Sequence, residues 1–215
     1  MPPDLSDVTV QFFQGMLATL QLSLAGFALA LVVGTGLAAA LVSPVPPARW
    51  AAAAYVAVFR NLPLLVILIL AVFGLPQTGL QLSPMTWAVL VLGLYTAAFV
   101  CETLSGGING VNVGQTEAAR ALGLSFPQSL RLIVLPQAIR SVVPPLGSLF
   151  IALTRNTALA SVIGVVEISA RTAQLVNDNV STIVVIVGSA SGYLIINLPA
   201  AWMVRRLERR AVFAR

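Results

Sequence analysis

The sequence of 215 residues contains no histidine and no lysine, so all twelve of its basic side chains are arginines. Without histidine, no histidine cluster is present to hold a metal ion. Without lysine, a phosphate-binding P-loop lacks the side chain that reaches the phosphates, and the glycine pattern of that motif is absent as well. The single cysteine, Cys101, cannot form an internal disulfide and is interpreted as a small packing residue in an apolar run. Any ATP that the protein uses must therefore be bound by another chain.

Charged residues are also scarce, since only 9% of the chain is charged and 58% is hydrophobic. Soluble domains carry charge on roughly a quarter of their residues. No charged residue lies between Asp7 and Arg49, and none lies between Asp178 and Arg205. Charge-free apolar runs longer than about 18 residues are typical of transmembrane helices. The composition therefore predicts an integral membrane protein.

The apolar runs predict an all-α membrane protein with five transmembrane helices in one domain that covers residues 1–215. Each predicted span is long enough to cross a hydrocarbon core of about 30 Å. Arg60 lies in the second span and Arg155 lies in the fourth. The five predicted spans are, approximately, residues 16–42, 51–75, 85–104, 141–166 and 181–204.

The distribution of arginines predicts the orientation of these spans. Nine of the twelve fall on one side of the membrane: Arg49, Arg120, Arg131, Arg140, Arg205, Arg206, Arg209, Arg210 and Arg215. Positively charged loops stay in the cytoplasm, so the N-terminus is predicted outside and the C-terminus inside. No positive charge precedes the first apolar run, which argues against a signal peptide. The basic tail is interpreted as a topology anchor that contacts lipid headgroups, not as a nucleic-acid site.

The segment of about 105–140 is a polar cytoplasmic loop between the third and fourth spans. Thr116 is predicted to cap a short helix that Gly123 ends as a left-handed C′ residue. Ser125 with Gln128 three residues later predicts a capping box at the start of a second short helix. The loop is therefore expected to hold two short helices joined by a tight glycine turn.

The second short helix is expected to stop or kink before Pro136. Glu117 and Arg120 are expected to face solvent, where a partner can bind them. An alternative is an amphipathic element that lies on the membrane surface without any partner. Four apolar side chains are expected to pack inward, namely Leu122, Leu130, Ile133 and Leu135.

The loop has a fixed spacing: Glu-Ala-Ala, three residues, Gly, nine residues, Ile, one residue, Leu-Pro. This spacing resembles the EAA signature of the permease subunits of binding-protein-dependent ABC importers. In that family the loop includes a coupling helix that sits in a groove of a cytoplasmic ATPase. The resemblance implies a type I importer permease (MetI-like) fold. It also implies ATPase coupling by Glu117, Ala118, Ala119, Arg120, Gly123, Ile133, Leu135 and Pro136.

The resemblance extends from about Thr19 to Arg210. The segment 59–64 is similar to an Arg-Asn/Gly-Thr-Pro-Leu segment of polar amino-acid permeases, although Leu62 replaces the usual threonine. The segments 42–45, 107–109 and 153–157 are most similar to actinobacterial glutamate-uptake permeases, which usually carry lysine in place of Arg155. The resemblance therefore implies a polar amino acid as substrate. Glutamate is favoured, and glutamine, aspartate or a basic amino acid stay open.

The same resemblance implies a set of partners and a location. It implies a bacterial plasma-membrane protein that works with a cytoplasmic ABC ATPase dimer and an extracytoplasmic substrate-binding protein. A second permease subunit is implied, with a heterodimer favoured and a homodimer open. The chain itself is expected to be no enzyme and to hold no cofactor, because ATP and Mg are bound by the ATPase. Membrane lipid is expected as a partner and nucleic acid is not.

Arg60 and Arg155 need an explanation because an ionised side chain near mid-bilayer costs at least about 2.5–3.5 kcal/mol. Each is followed by an asparagine, Asn61 or Asn156, which adds hydrogen-bonding groups at nearly the same depth. One hypothesis is that these four residues line a substrate path, where the guanidinium groups bind carboxylates. The alternative is internal pairing, for example with Glu102, or snorkelling of Arg60 to the interface.

Two other classes of function fit the sequence less well. A proton-coupled secondary transporter generally uses intramembrane acids or histidines, and Glu102 is the one acid available in a predicted span. No inverted repeat is visible in the sequence. A membrane-embedded hydrolase would need a Ser/His, Cys/His or metal constellation, which the sequence does not supply.

Overall fold

The computed structural model describes residues 3–212, without the side chains of residues 126 and 209–212. Arg215 lies outside the described residues, as do the side chains of Arg209 and Arg210. The described part is helical and contains no strand. The helices are α1 (Leu5–Leu41), α2 (Pro46–Asn61), α3 (Leu64–Ile69), α4 (Pro84–Asn109), α5 (Val113–Ala121), α6 (Phe126–Ser129), α7 (Leu135–Asn156), α8 (Ile168–Asn177) and α9 (Thr182–Val212).

Four helical segments of the described chain are long and apolar enough to cross a membrane, with mean hydropathies between 1.4 and 2.2. They are Leu5–Leu41, Pro84–Asn109, Pro127–Ile163 and Thr182–Glu208. A bent pair, Pro46–Asn61 with Leu64–Thr78, gives a fifth span if the two halves are counted as one. The all-α membrane fold predicted from the sequence is confirmed.

The second span is not the continuous helix that the sequence predicted. The chain bends by 101° between α2 and α3. Pro63 causes the break, because proline has no amide hydrogen and disfavours helical backbone in the residue before it. Leu62 is accordingly extended, with φ −94° and ψ 138°. After α3, a π-helical turn (Leu70–Gly74) and a 3₁₀ turn (Leu75–Thr78) complete this half.

The fourth span begins earlier than predicted, because one continuous helix runs from Pro127 to Ile163. The predicted stop or kink before Pro136 is therefore wrong. A π-helical turn, Leu130–Val134, joins α6 to α7, and Pro136 lies in the first turn of α7. The wider turn gives the proline ring room inside a continuous helix, where a regular α-helix would place it against a carbonyl.

The helices pack closely where glycine removes a side chain from the contact. Helices α1 and α4 lie against each other, and α7 packs between α4 and α9. A Cβ on Gly34 of α1 would lie 2.6 Å from the Cβ of Val100 and 2.9 Å from the carbonyl oxygen of Ala97. A Cβ on Gly107 would collide with Val142, and one on Gly147 would collide with Val204. Close helix approach through small residues is typical of packing between membrane helices.

A buried glutamate holds α8 against the first and last spans. Glu167 is fully buried and caps α8, since its Oε1 accepts the amide of Ala170 at 2.9 Å. Its Oε2 accepts the hydroxyl groups of Tyr193 at 3.0 Å and Thr19 at 3.4 Å. The Thr19 hydroxyl accepts the amide of Ile168 at 3.3 Å. One carboxylate therefore joins α1, α8 and α9.

Replacing Glu167 with alanine is expected to destabilise the protein by about 3 kcal/mol, because buried donors lose their acceptor and a cavity is left. Thermal unfolding of the purified chain in detergent measures the change. Glu117→Ala, at an exposed position, is the control and should alter stability by less than about 0.5 kcal/mol. Equal stability of the two variants would contradict the bridging role of Glu167.

Candidate functional site

The first short helix of the polar loop, α5, starts earlier than predicted. Asn112 is its N-cap, and the Asn112 side chain accepts the amide of Gly114 at 2.8 Å. The prediction that Thr116 caps this helix is wrong. Thr116 lies inside α5, where its hydroxyl donates to the carbonyl of Val113 at 2.7 Å. Both side chains are good caps, and the one nearer the end of α4 starts the helix.

The turn after α5 is the glycine turn that the sequence predicted. Gly123 has φ +80°, in the left-handed region that glycine adopts without steric cost. The amide of Gly123 donates to the carbonyl of Arg120 at 2.9 Å, and the amide of Leu124 donates to the carbonyl of Ala119 at 3.1 Å. These two hydrogen bonds form a Schellman motif, which satisfies the last carbonyls of the helix. The turn is thus fixed by backbone geometry.

The second short helix begins with half of the predicted capping box. The Gln128 side chain accepts the amide of Ser125 at 2.8 Å. The reciprocal bond from the Gln128 amide to the Ser125 hydroxyl is not made. Because α6 continues through the π-helical turn into α7, the second half of the loop is one end of a helix long and apolar enough to span a membrane.

The loop exposes a mixed polar and apolar surface. Glu117 and Arg120 are exposed, as predicted, and neither forms a salt bridge within the described residues. The predicted inward packing is wrong for Leu122, which is 82% exposed, and for Leu135, which is 37% exposed. We call this the docking surface: Val113, Glu117, Arg120, Leu122 and Leu132, all exposed.

Buried contacts hold the docking surface in place. Ala119 is 2% exposed and Val134 is 8% exposed, and these residues take the inward positions that the sequence assigned to larger leucines. Leu130 and Ile133 are half-buried. A cavity of about 520 Å³ lies between the two helices of the loop. Its walls are Thr116, Arg120, Leu124, Ser129, Leu130 and Val134.

Arg60 forms an internal ion pair, which was one of the three interpretations that its sequence position left open. Its Nη1 donates to Oε1 of Glu102 on α4 at 2.6 Å. The guanidinium carbon also lies 5.8 Å from the centroid of the Phe99 ring. Asn61 bonds locally, since its Nδ2 donates to the carbonyl of Ala57 at 2.7 Å. The pair fastens the end of α2, just before the bend, to α4.

Arg60 and Arg155 are both exposed, but Arg155 differs in having no hydrogen-bond partner among the described residues. Asn156 beside it is half-buried. Both lie at the end of α7, where the chain passes into the 3₁₀ turn Thr157–Ile163. The structure therefore does not bring Arg155 to Arg60–Glu102, and the two arginines have different surroundings. Within residues 3–212, no acidic side chain forms a salt bridge with Arg155.

The sequence did not indicate that Glu167 joins α1, α8 and α9. Its signal was an isolated acid in an N-cap position, where a carboxylate accepts the first amides of a helix. Its partners on α1 and α9 are far away in sequence, so no local pattern indicated them. Within residues 3–212, no group of three or more acids or cysteines lies close enough to hold a metal ion.

Comparison with known proteins matches the chain along most of its length. The family model described as "Binding-protein-dependent transport system inner membrane component" matches residues 30–212. The glutamate transport system permease protein GluC of Corynebacterium efficiens is 40% identical over 208 residues, covering 90% of this chain and 91% of the relative. The "Probable glutamine ABC transporter permease protein GlnM" of Bacillus subtilis is 36% identical over 202 residues, covering 93% and 92%.

A solved structure is similar over nearly the whole fold. The crystal structure of "an amino acid ABC transporter with histidines" gives a TM-score of 0.89 at 30% identity. The match covers 98% of this chain and all of that chain. The fold of this chain as a whole is therefore similar to that of a chain in a solved transporter.

Proposed function

The chain belongs to the family of binding-protein-dependent transport system inner membrane components, and on this premise we propose that it is the permease subunit of an ATP-driven amino-acid importer. Its fold is the MetI-like fold of type I importer permeases. It is a multi-pass membrane protein, and residues 1–215 act as a single permease domain. Hydrolysis of ATP, with Mg, is assigned to a separate cytoplasmic ATPase dimer.

The observation that carries this proposal is the docking surface at the end of a membrane-spanning helix. An exposed leucine, Leu122, lies beside two free charges, Glu117 and Arg120, on a turn that backbone hydrogen bonds make rigid. Exposed apolar side chains with charges around them are typical of protein–protein contacts.

We assign the docking surface and the C-terminus to the cytoplasm and the N-terminus to the outside. The basis is the positive-inside rule, applied to Arg49 in the first turn of α2, Arg140 in the first half of α7 and Arg205 in the last third of α9. Close contacts of Gly107 with Val142 and of Gly147 with Val204 support placing Arg140 and Arg205 at the same end of the helices as α5. Asp4, together with Asp178 before α9, then lies outside, where a substrate-binding protein would dock. A reporter enzyme that is active only outside the membrane, fused to residue 215, should be inactive. An active fusion would overturn the orientation.

Arg155 supports a second permease subunit. An exposed guanidinium within a span is costly against lipid, so the face that carries it must meet another chain or water. A second permease subunit on the other side of a central path would supply both the neighbouring chain and the water. We propose that Arg155 and Asn156 line that path, and that Arg60, already paired with Glu102, contributes mainly to helix packing. A heterodimer with a related permease is favoured, and a homodimer is the alternative.

Replacing Arg155 with alanine is expected to reduce uptake at least about tenfold, because a lost charge-assisted hydrogen bond costs roughly 1.5–3 kcal/mol. ATP hydrolysis stimulated by the binding protein should persist, since the docking surface is unchanged. Uptake and hydrolysis are measured on the same reconstituted complex. Arg155→Lys keeps the charge and should keep much of the uptake. Normal uptake by Arg155→Ala would refute a role in the path.

We propose glutamate as the transported amino acid, supported by the 40% identity to a glutamate permease and by the cationic Arg155. Glutamine is the alternative, supported by the 36% identity to GlnM. Uptake of labelled glutamate, in competition with unlabelled glutamine, aspartate and arginine, distinguishes these. Glutamate should compete best. Stronger competition by glutamine or arginine would reassign the substrate and leave the permease function unchanged.

A further inference from the structure

The last helix, α9, has an apolar face that the described residues leave uncovered. Ile195 and Leu198 are each 59% exposed, and Trp202 is 60% exposed. With 3.6 residues per turn, these three side chains lie within about 60° of one another around the helix. Val204 lies on the opposite side of α9, where it meets Gly147 of α7. The apolar face therefore points away from α7.

Two arginines continue this face toward the C-terminal end of α9. Arg205 and Arg206 are exposed, and each lies within about 60° of Trp202 around the helix. Neither forms a salt bridge within the described residues. Glu208, the acid nearest to them in sequence, lies about 120° from Trp202 and so off this face. The face therefore carries two positive charges and no negative one.

The ring of Trp202 holds one of these charges in place. The guanidinium carbon of Arg206 lies 5.0 Å from the centroid of the Trp202 ring, which is a cation–π contact. Such a contact uses no N–H donor, so the donors of Arg206 stay available to an oxygen anion. A guanidinium group binds phosphate oxygens with matched geometry. The arrangement therefore suits a phosphate group that lies just beyond the tryptophan.

The order of side chains along α9 matches the layers of one half of a bilayer. Ile195 and Leu198 come first, at the depth of acyl chains, and Trp202 follows where aromatic rings meet the headgroups. Arg206 lies about 6 Å further along the helix axis, at the depth of the phosphates. A phospholipid has this same order along its own length, whereas a protein partner gives no reason for it.

We propose that this part of α9 binds an anionic phospholipid. Arg205 and Arg206 bind the headgroup, and an acyl chain lies along Leu198 and Ile195. We call Trp202, Arg205 and Arg206 the headgroup site. The inference goes beyond a general attraction of the basic tail to the membrane, because it assigns lipid selectivity to three side chains. The cytoplasmic leaflet follows from the proposed orientation, and the binding itself is independent of the transported solute.

Lipid binding to the full chain in detergent is measured by native mass spectrometry, with phosphatidylglycerol or phosphatidylcholine of identical acyl chains. Wild type should bind phosphatidylglycerol at least about fivefold more tightly. Arg206→Gln should weaken that binding about fivefold, and Arg205→Gln in addition by a similar factor, as expected for each arginine near an anionic surface. Trp202→Leu keeps the apolar contact and should weaken binding about two- to fivefold. Arg206→Lys keeps the charge and should retain most of the affinity.

Arg131→Gln removes an exposed arginine far from α9 in sequence and is the matched control, which should bind phosphatidylglycerol as wild type does. Equal affinity of wild type for the two lipids would overturn the inference. So would unchanged affinity in the double variant of Arg205 and Arg206, or an equal loss in Arg131→Gln. Glycerol 3-phosphate has the phosphate without acyl chains, and its binding as tightly as the lipid would show a site for a soluble anion instead.

The same titration of the complete importer distinguishes a lipid from a protein on this face. Phosphatidylglycerol should bind the importer with the affinity measured for the full chain, and Arg206→Gln should weaken it by the same factor. Loss of this binding in the importer would show that another subunit covers the face, and would overturn the inference. None of these outcomes bears on the proposed function, which uptake by the importer tests separately.

Discussion

Gly34→Leu is expected to remove most of the folded subunit from the membrane. Even the Cβ of the new side chain would lie 2.9 Å from the carbonyl oxygen of Ala97 and 2.6 Å from Val100. Backbone cannot move aside as a flexible side chain does, so α1 must separate from α4. Overpacking in a tight core costs about 1–3 kcal/mol, and the forced separation of two helices adds to that cost. The melting temperature should fall by at least about 5 °C.

Gly36 provides the matched control for this prediction. It lies two residues later on α1, and a Cβ there would meet no atom within 4 Å. Gly36→Leu should therefore give normal amounts of subunit, with a melting temperature close to that of the wild-type chain. Both variants are compared by membrane expression and by thermal unfolding in detergent. Equal stability of the two would show that α1 and α4 do not pack as described.

Gly123→Val is expected to uncouple ATP hydrolysis from uptake. Gly123 has φ +80°, and an L-residue in a left-handed conformation costs about 1–2 kcal/mol, with β-branched residues disfavoured most. Open space surrounds the position, so the effect comes from the backbone alone. The Schellman turn would re-form in another geometry and displace Leu122 from the docking surface. ATP-driven uptake should fall at least about tenfold, with weaker retention of the ATPase on purification.

A variant at Gly79 is the control that distinguishes a loss of coupling from the effect of backbone strain in general. Gly79 has φ +92° and is also surrounded by open space. It lies far from the docking surface in sequence, between the 3₁₀ turn Leu75–Thr78 and the start of α4. Gly79→Val carries a similar strain and should keep the ATPase and most of the uptake. Gly123→Asn, which tolerates the left-handed region, should partly restore coupling. Similar losses of uptake for Gly79→Val and Gly123→Val would contradict a special role of the loop.

Local rules predicted part of the docking surface from sequence. The turn at Gly123 depends on five neighbouring residues and on one conformational property of glycine, so it was predicted correctly. The choice between Asn112 and Thr116 as helix cap depended on where α4 ends. The break at Pro63 follows a rule that can be applied to the sequence. Apolar composition continues across it, however, and predicted an unbroken span.

Longer-range features could not be derived in this way. Glu167 binds Thr19, which is 148 residues away in sequence, and only the packed helices bring them together. The pairing of Arg60 with Glu102 was one of three open interpretations, because both residues lie within apolar runs and the sequence does not say which helix faces meet. Ala119 and Val134 occupy the inward positions of the loop, and no local sequence pattern distinguishes these two residues from the leucines that were expected there.

Cross-linking at the docking surface tests the central claim most directly. The single native cysteine, Cys101, is buried, so a cysteine introduced at Leu122, which is 82% exposed, would be the reactive thiol. A short bifunctional thiol-to-amine reagent is added to the purified importer. Leu122→Cys should give an adduct of this chain with the ATPase subunit, and Val32→Cys, 74% exposed on α1, should give none. No ATPase adduct at Leu122, or equal adducts at both positions, would contradict the claim that the ATPase binds this loop.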